Sequence, residues 1–424
     1  MNNKSRIFPI KTDPACLLKW SWSTIFFNSG TSASCHRTQK YAINPDNFDQ
    51  FHNAPEKLSA RQLMLNGQWP GAGCEYCKKI EDAGQTSDRQ FQLEQQQDPR
   101  LTPPELYKNN QALSVTPTIL EVYFKNTCNM ACVYCGPHFS SLWEDENKKY
   151  GNLFKNADQF DVTAPQSNPH YDKMVADLWS YLETDNRYQS LRRFHVLGGE
   201  PFLLDELNEC LDFWDNHPNP DLVISIITNL NVPHKIFQKY IDRFQKLVDQ
   251  NKIWKLQITG SMDGWGPEME YVRYGLNPTY WEQNFKSLVD KPWATLSINS
   301  AISALSIKLL PALIKKINEW NKLRPAEAEP IIFSYNLTLT VDDPVCFGPE
   351  IFDKDFESAL SLLDTDSAMQ IGIYEALESI AKMINKAPRD LTKINKLKIY
   401  LDQLDARRKT DWRKTFPWLD QSFE

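Results

Sequence analysis

Between residues 116 and 340 the chain alternates β-rich runs with helical patterns, and this alternation limits its fold more than any other feature. The β-rich runs stand at 118–124 (TILEVYF), 193–198 (RFHVLG), 222–228 (LVISIIT), 254–261 (WKLQITGS), 295–301 (TLSINSA) and 331–340 (IIFSYNLTLT). Helical patterns lie between them, among them 171–183, 233–248 and 306–320. Strands joined through helices pair in parallel, because a parallel neighbour needs a long crossover. Six such strands form either an open doubly wound sheet or a partial barrel, and periodicity does not choose between them. In both, ligands sit at the carboxyl ends of the strands. Glycine, cysteine and polar groups gather there: TCNMACVYCGP (127–137) after the first run, GGEP (198–201) after the second, TNL (228–230) after the third and SMDG (261–264) after the fourth. One ligand site at one mouth is the economical reading.

The flanks differ in character. Residues 1–112 read as a cysteine-bearing module, residues 113–345 carry the alternation, and residues 346–424 read as a helical extension. The first segment is loop-rich, with hairpin-like alternation around NSG at 28–30, and it ends in a polar stretch, 89–105, that reads as a linker. In the last, Leu391, Ile394, Leu397, Leu401 and Leu404 recur at helical spacing as one apolar stripe. The basic stretch at 404–420 is diluted by Asp405, Asp411 and Asp420, so Trp412, Phe416 and Trp418 are expected to dock on the body rather than stack on nucleic acid. The connection at 137–170 is long for a βα link and adjoins the cysteine loop, a place to cover or bind substrate.

A net charge of −7 speaks against a dedicated nucleic-acid binder. The first twenty residues lack a signal peptide's apolar run, and LVISII (222–227) falls far short of the roughly 18 apolar residues of a membrane span. A soluble, cytoplasmic protein is expected. In that reducing compartment nine cysteines suggest metal or redox chemistry rather than disulfides. Cys210 reads as a small buried apolar residue, whereas Cys346 lies in a turn-rich loop and could reach the active site.

Cys128, Cys132 and Cys135 are spaced C-x3-C-x2-C, one ligand short of a four-thiolate site. A zinc site completed elsewhere, for instance by His138, is one solution. Another is a four-iron cluster in which one iron lacks a protein ligand and stays open to something else. Glycine in GGEP lets a ligand approach the backbone, and Glu200 offers an acceptor for an ammonium. With an aromatic, Tyr134, just before the last cysteine, and with GGEP, TNL and SMDG in order, residues 116–345 resemble the radical S-adenosylmethionine enzymes. The resemblance implies a partial (β/α)6 barrel whose cluster, on Cys128, Cys132 and Cys135, binds S-adenosylmethionine and cleaves it to a 5′-deoxyadenosyl radical. It implies that Gly198, Gly199 and Glu200 hold the methionyl amino group and that Thr228 and Asn229 face the ribose. Ser261 and Arg273, within SMDGWGPEMEYVRYG, are implied to serve the carboxylate and ribose, a geometry suited to a guanidinium. Tyr134 and Asn299 are implied to border the adenine.

Cys16, Cys35, Cys74 and Cys77 make a complete ligand set of their own, with GCEYC as a C-x2-C knuckle. The spacing permits zinc or iron. The region resembles the auxiliary-cluster modules called twitch or SPASM, which implies a second 4Fe-4S cluster; here the cysteines precede the barrel, whereas those modules more often follow it. Relatives of this kind often modify peptide or protein side chains, and an electron donor such as flavodoxin or ferredoxin is implied. The rival readings are the same chemistry on a small molecule such as an amino sugar alcohol, modification of tRNA or another nucleic acid, and a zinc-bearing scaffold without turnover.

Overall fold

The computed structural model describes residues 14–71, 73–82, 84, 86, 87, 89, 90, 113–153 and 167–422. Most of the polar stretch at 89–105 and part of the long 137–170 connection fall outside these residues. Nine strands form one sheet: β1 (Trp22–Phe26), β2 (Thr31–Ala33), β3 (Tyr41–Ala42), β4 (Ile119–Tyr123), β5 (Arg193–Leu197), β6 (Asn219–Thr228), β7 (Ile253–Ser261), β8 (Ala294–Ile302) and β9 (Ile332–Leu337). Their order is β3-β2-β1-β4-β5-β6-β7-β8-β9, and β4 to β9 pair only in parallel. The order turns back only at β1, from which the antiparallel strands β2 and β3 step the other way; among the parallel strands it never reverses. A doubly wound sheet requires a reversal among its parallel strands, so these wind in one direction, as the wall of a β/α barrel does. The described strands are bonded as an open sheet with β3 and β9 at its edges.

Repeated right-handed crossovers that step one way place their helices on one face. Burial agrees. Leu120, Val122, Phe194, Val196, Ile224, Ile226, Leu256, Ile258, Leu296 and Ile298 are fully buried on that face. The helices His234–Asp249 and Pro278–Val289 present Phe237, Ile241, Phe244, Trp281, Phe285 and Leu288 to the same core. Each such side chain contributes roughly 1.5–3 kcal/mol by leaving water. The alternate residues, Glu121, His195, Ser225, Gln257, Thr259, Ser297 and Asn299, give the opposite face a polar character.

The amino-terminal hairpin extends the same sheet. β1 pairs antiparallel with β2 across a turn closed by Gly30, as the NSG signal suggests, but it also pairs in parallel with β4, Trp22 opposite Ile119 and Phe26 opposite Tyr123. This pairing puts Cys16, before β1, and Cys35, after β2, at the amino-terminal edge of the parallel strands. Cys128 follows β4 at the carboxyl edge. Four residue steps of strand, about 13 Å, lie between the two edges.

Carboxyl-terminal helices Asp353–Leu360, Ala368–Lys386 and Leu391–Arg408 cover the body. Ile394, Leu397, Leu401 and Leu404 form the expected buried stripe, while Leu391, at the helix start, is exposed. Trp412 and Phe416 are buried, Phe416 edge-on to Tyr271 at 5.4 Å between ring centroids, and Trp418 packs on Phe347 and Phe352. The basic tail is docked. No described helix is long and apolar enough to cross a membrane.

Candidate active site

The loop after β4 is held from four directions. Ser140 caps the helix Ser141–Tyr150 by accepting from the Trp143 N–H, and its hydroxyl donates back to the Met130 carbonyl at 2.6 Å. The Trp143 indole donates to the Cys132 carbonyl at 2.8 Å. The Ala131 and Val133 N–H groups donate to Tyr274 and Val272, each at 2.8 Å. From the carboxyl-terminal helix, the Tyr400 hydroxyl donates to the Val133 carbonyl at 2.7 Å. About two turns further along that helix, Arg408 pairs with buried Glu146 at 3.0 Å and lies over the Trp143 and Tyr274 rings. A loop with few internal hydrogen bonds is thus fixed by its neighbours.

So held, Cys128, Cys132 and Cys135 line an open cleft of about 370 Å³. Eight further residues singled out in the sequence line it too: Tyr134, Gly198, Gly199, Thr228, Asn229, Ser261, Arg273 and Asn299. They come from four strand ends, the cysteine loop and, for Arg273, the end of the short helix Met269–Val272. The Asn229 amide donates to the Cys128 sulfur at 3.6 Å. Burial and neighbouring cysteines push the thiols up, Cys135 to about 12, so a bound cation is what would stabilise their thiolate forms.

Glu200 does not line this cleft. It is fully buried, and its carboxyl accepts from the Thr228 hydroxyl and the Asn229 N–H, both at 2.7 Å, and from the Phe202 N–H at 3.1 Å. Burial outweighs these three bonds and pushes it up to about 7. Its observed role is to lock the turn after β5 to the turn after β6. The adjoining glycines also face protein rather than open space. Gly198 has φ +145°, and a Cβ on Gly199 would stand 2.2 Å from the Thr127 carbonyl. The close approach they permit is that of the cysteine loop, sealed by Gly199 N–H to Lys125 at 2.9 Å and Glu200 N–H to Thr127 at 2.7 Å.

Sequence reasoning assigned Asp263, within SMDG, no role of its own, and here it missed a clamp. Fully buried, Asp263 accepts from Arg273 Nε and Nη2 at 2.9 and 2.7 Å, from the Tyr134 hydroxyl at 2.7 Å and from the Ala301 N–H at 2.8 Å. Arg273 therefore reaches the cleft as half of a buried pair, not as a surface ion. Its only sequence signal was an Asp ten residues before an Arg.

Cys16, Cys35, Cys74 and Cys77 converge on a second, tight cavity, about 30 Å³, with Lys19, His36, Trp69 and Arg89 in its wall. Gly73 makes this possible: its φ is +97°, and a Cβ there would lie 2.3 Å from the Arg37 carbonyl, so the C-x2-C turn packs directly on the Cys35 loop. Burial, then the nearby Cys35, pushes Cys16 up to about 12. Among the described residues no three His, Cys, Asp or Glu side chains close around a single ion; each cysteine set rings a void. His138 lines neither cavity. Cys210 is core, as expected, and Cys346 is buried with its thiol on the Asp343 carbonyl at 2.9 Å, outside both cavities.

No protein-family model and no curated protein matches the chain. Among solved structures, it is similar to one of TYW1 with a lysine-pyruvate adduct bound, at 13% identity, covering 56% of this chain and 68% of that one with a TM-score of 0.28. A likeness that loose decides neither fold nor function.

Proposed function

We propose that this chain is a radical S-adenosylmethionine enzyme. The observation that carries the reading is the convergence of three cysteines and eight independently expected residues on one open cleft. Three thiols beside a roomy polar wall fit a four-iron cluster with one iron left for a ligand. When bound, that cluster supplies the electron that splits S-adenosylmethionine into methionine and a 5′-deoxyadenosyl radical, which takes hydrogen from a substrate carbon. The chain's part is to hold and orient. Asn229 donates to the Cys128 sulfur. Arg273, oriented by Asp263, presents a guanidinium suited to the methionyl carboxylate, and Ser261 and Thr228 stand at neighbouring strand ends for the ribose. Tyr134 and Asn299 supply the adenine's surroundings, and the buried loop keeps water from the reacting centre.

The four-cysteine cavity fits an auxiliary cluster, saturated by protein sulfur and therefore suited to electron transfer. The substrate class proposed is a peptide or protein side chain, with flavodoxin or ferredoxin as electron donor; the net charge of −7 disfavours a polyanionic substrate. The test is anaerobic reconstitution with iron and sulfide counting, followed by dithionite and S-adenosylmethionine. About eight irons per chain and formation of 5′-deoxyadenosine are expected. Zinc at the cysteines with no consumption of S-adenosylmethionine rejects the proposal.

A further inference from the structure

Cations gather behind the four-cysteine cavity without carboxylate partners. Lys19, Lys57 and Arg61 are 6%, 1% and 0% exposed. The Lys57 ammonium donates to the Phe51 carbonyl at 2.7 Å, the Ser23 hydroxyl at 3.0 Å and the Ala33 carbonyl at 3.3 Å. Arg61 donates to the carbonyls of Lys19, His52 and Leu113 and to the Asn53 amide oxygen. Every one of these acceptors is neutral. Among the described residues none of the three cations forms an ion pair, whereas Arg89, in the same cavity wall, is matched by Glu81. Lys19 lines the cavity together with Cys74, and the Arg61 guanidinium grips the Lys19 carbonyl from behind at 2.7 Å.

Buried charge without a counter-charge is costly. The row becomes favourable when an anion shares its low-dielectric volume. A metal centre held by four thiolates is such an anion, because the thiolate charges outnumber those of the core. We propose that Lys19, backed by Arg61 and Lys57, is the counter-ion of a tetrathiolate iron–sulfur cluster in this cavity and raises its reduction potential. The inference rests on the auxiliary-cluster reading above. Reduction adds one negative charge to the centre, and a fixed ammonium in the cavity wall stabilises the reduced form more than the oxidised one.

The test is a redox titration followed by electron paramagnetic resonance, on the reconstituted full chain and its Lys19→Met and Lys19→Arg variants. Lys19→Met is expected to lower the auxiliary potential, cutting the reduced-to-oxidised ratio at the parent midpoint about tenfold, or 59 mV for one electron. Lys19→Arg keeps the charge and should recover most of that ratio. The potential of the cluster on Cys128, Cys132 and Cys135 should stay put in both. Should Lys19→Met fail to load, Lys57→Met carries the test, with a smaller shift of the same sign. Two loaded clusters with an unmoved auxiliary potential overturn the inference alone. A parent chain with no iron at the four cysteines overturns the auxiliary-cluster reading, and this inference with it.

Discussion

The two cysteine-lined cavities sit at opposite edges of one sheet and are built on opposite principles. At the carboxyl edge, three thiols border an open cleft of about 370 Å³, walled by amides, hydroxyls, glycine backbone and one guanidinium already paired with Asp263. At the amino-terminal edge, four thiols close on about 30 Å³, with cations in and behind the wall that form no ion pair among the described residues. An incomplete ligand set comes with room and neutral donors; a complete one comes with tightness and surplus positive charge. The contrast teaches that ligand count, space and local charge vary together. The first arrangement suits a centre that must admit a molecule, the second a centre that must only hold an electron.

The sharpest way to break this division of labour is to remove a sulfur from each side. Cys132→Ala should abolish 5′-deoxyadenosine formation and remove about half the iron. Cys74→Ala should remove the other half yet leave that cleavage within a few-fold. Equal loss from both variants would show that the cavities do not work separately. Next in size, Asp263→Ala leaves the Arg273 guanidinium buried and unpaired, a loss of about 3–5 kcal/mol. S-adenosylmethionine binding, read by equilibrium titration, should weaken more than about tenfold with it. Unchanged melting and binding would mean that Arg273 does not depend on its clamp.

The Glu200 carboxyl sharpens the comparison through pH. Its folded value, about 7, lies above the ordinary 4.5, so the folded chain binds a proton that the unfolded chain has released between those values. The stabilisation is therefore complete below pH 4.5 and is lost as pH rises through 7. Glu200→Gln does not titrate. Urea midpoints of the metal-free chains should show the parent losing ground to this variant by up to about 1.4 kcal/mol per pH unit across that window, then running level. A constant difference would place the titrating group elsewhere. Smallest, Tyr400→Phe removes one buried hydrogen bond to the cysteine loop, worth about 1 kcal/mol. It should speed iron loss to a chelator from the three-cysteine site and leave the four-cysteine site untouched.

Local pattern made much of this legible. The β-rich runs and turn signals placed six strands within a few residues, because alternation and glycine report on the segment that contains them. Cysteine spacing marked both clusters for the same reason. What stayed hidden depends on distant partners. Asp263 is one polar residue of SMDG until Tyr134, 129 positions away, and Arg273 are seen to share its oxygens. Glu200 reads as a cleft acceptor until Thr228 and Asn229 occupy it. The hairpin reads as part of a separate module because no local signal announces that β1 will pair with β4, 97 residues on for Thr24 and Glu121. The Lys57 and Arg61 burial is likewise invisible, since a charged residue on a helix ordinarily faces water.

Tyr400 reaches back 267 positions to grip the Val133 carbonyl. On the ribosome, the three-cysteine segment emerges long before the residue that will brace it. On the proposed reading, iron delivered during synthesis would meet an unbraced segment, and delivery after release, once the last long helix has folded home, would meet a braced one.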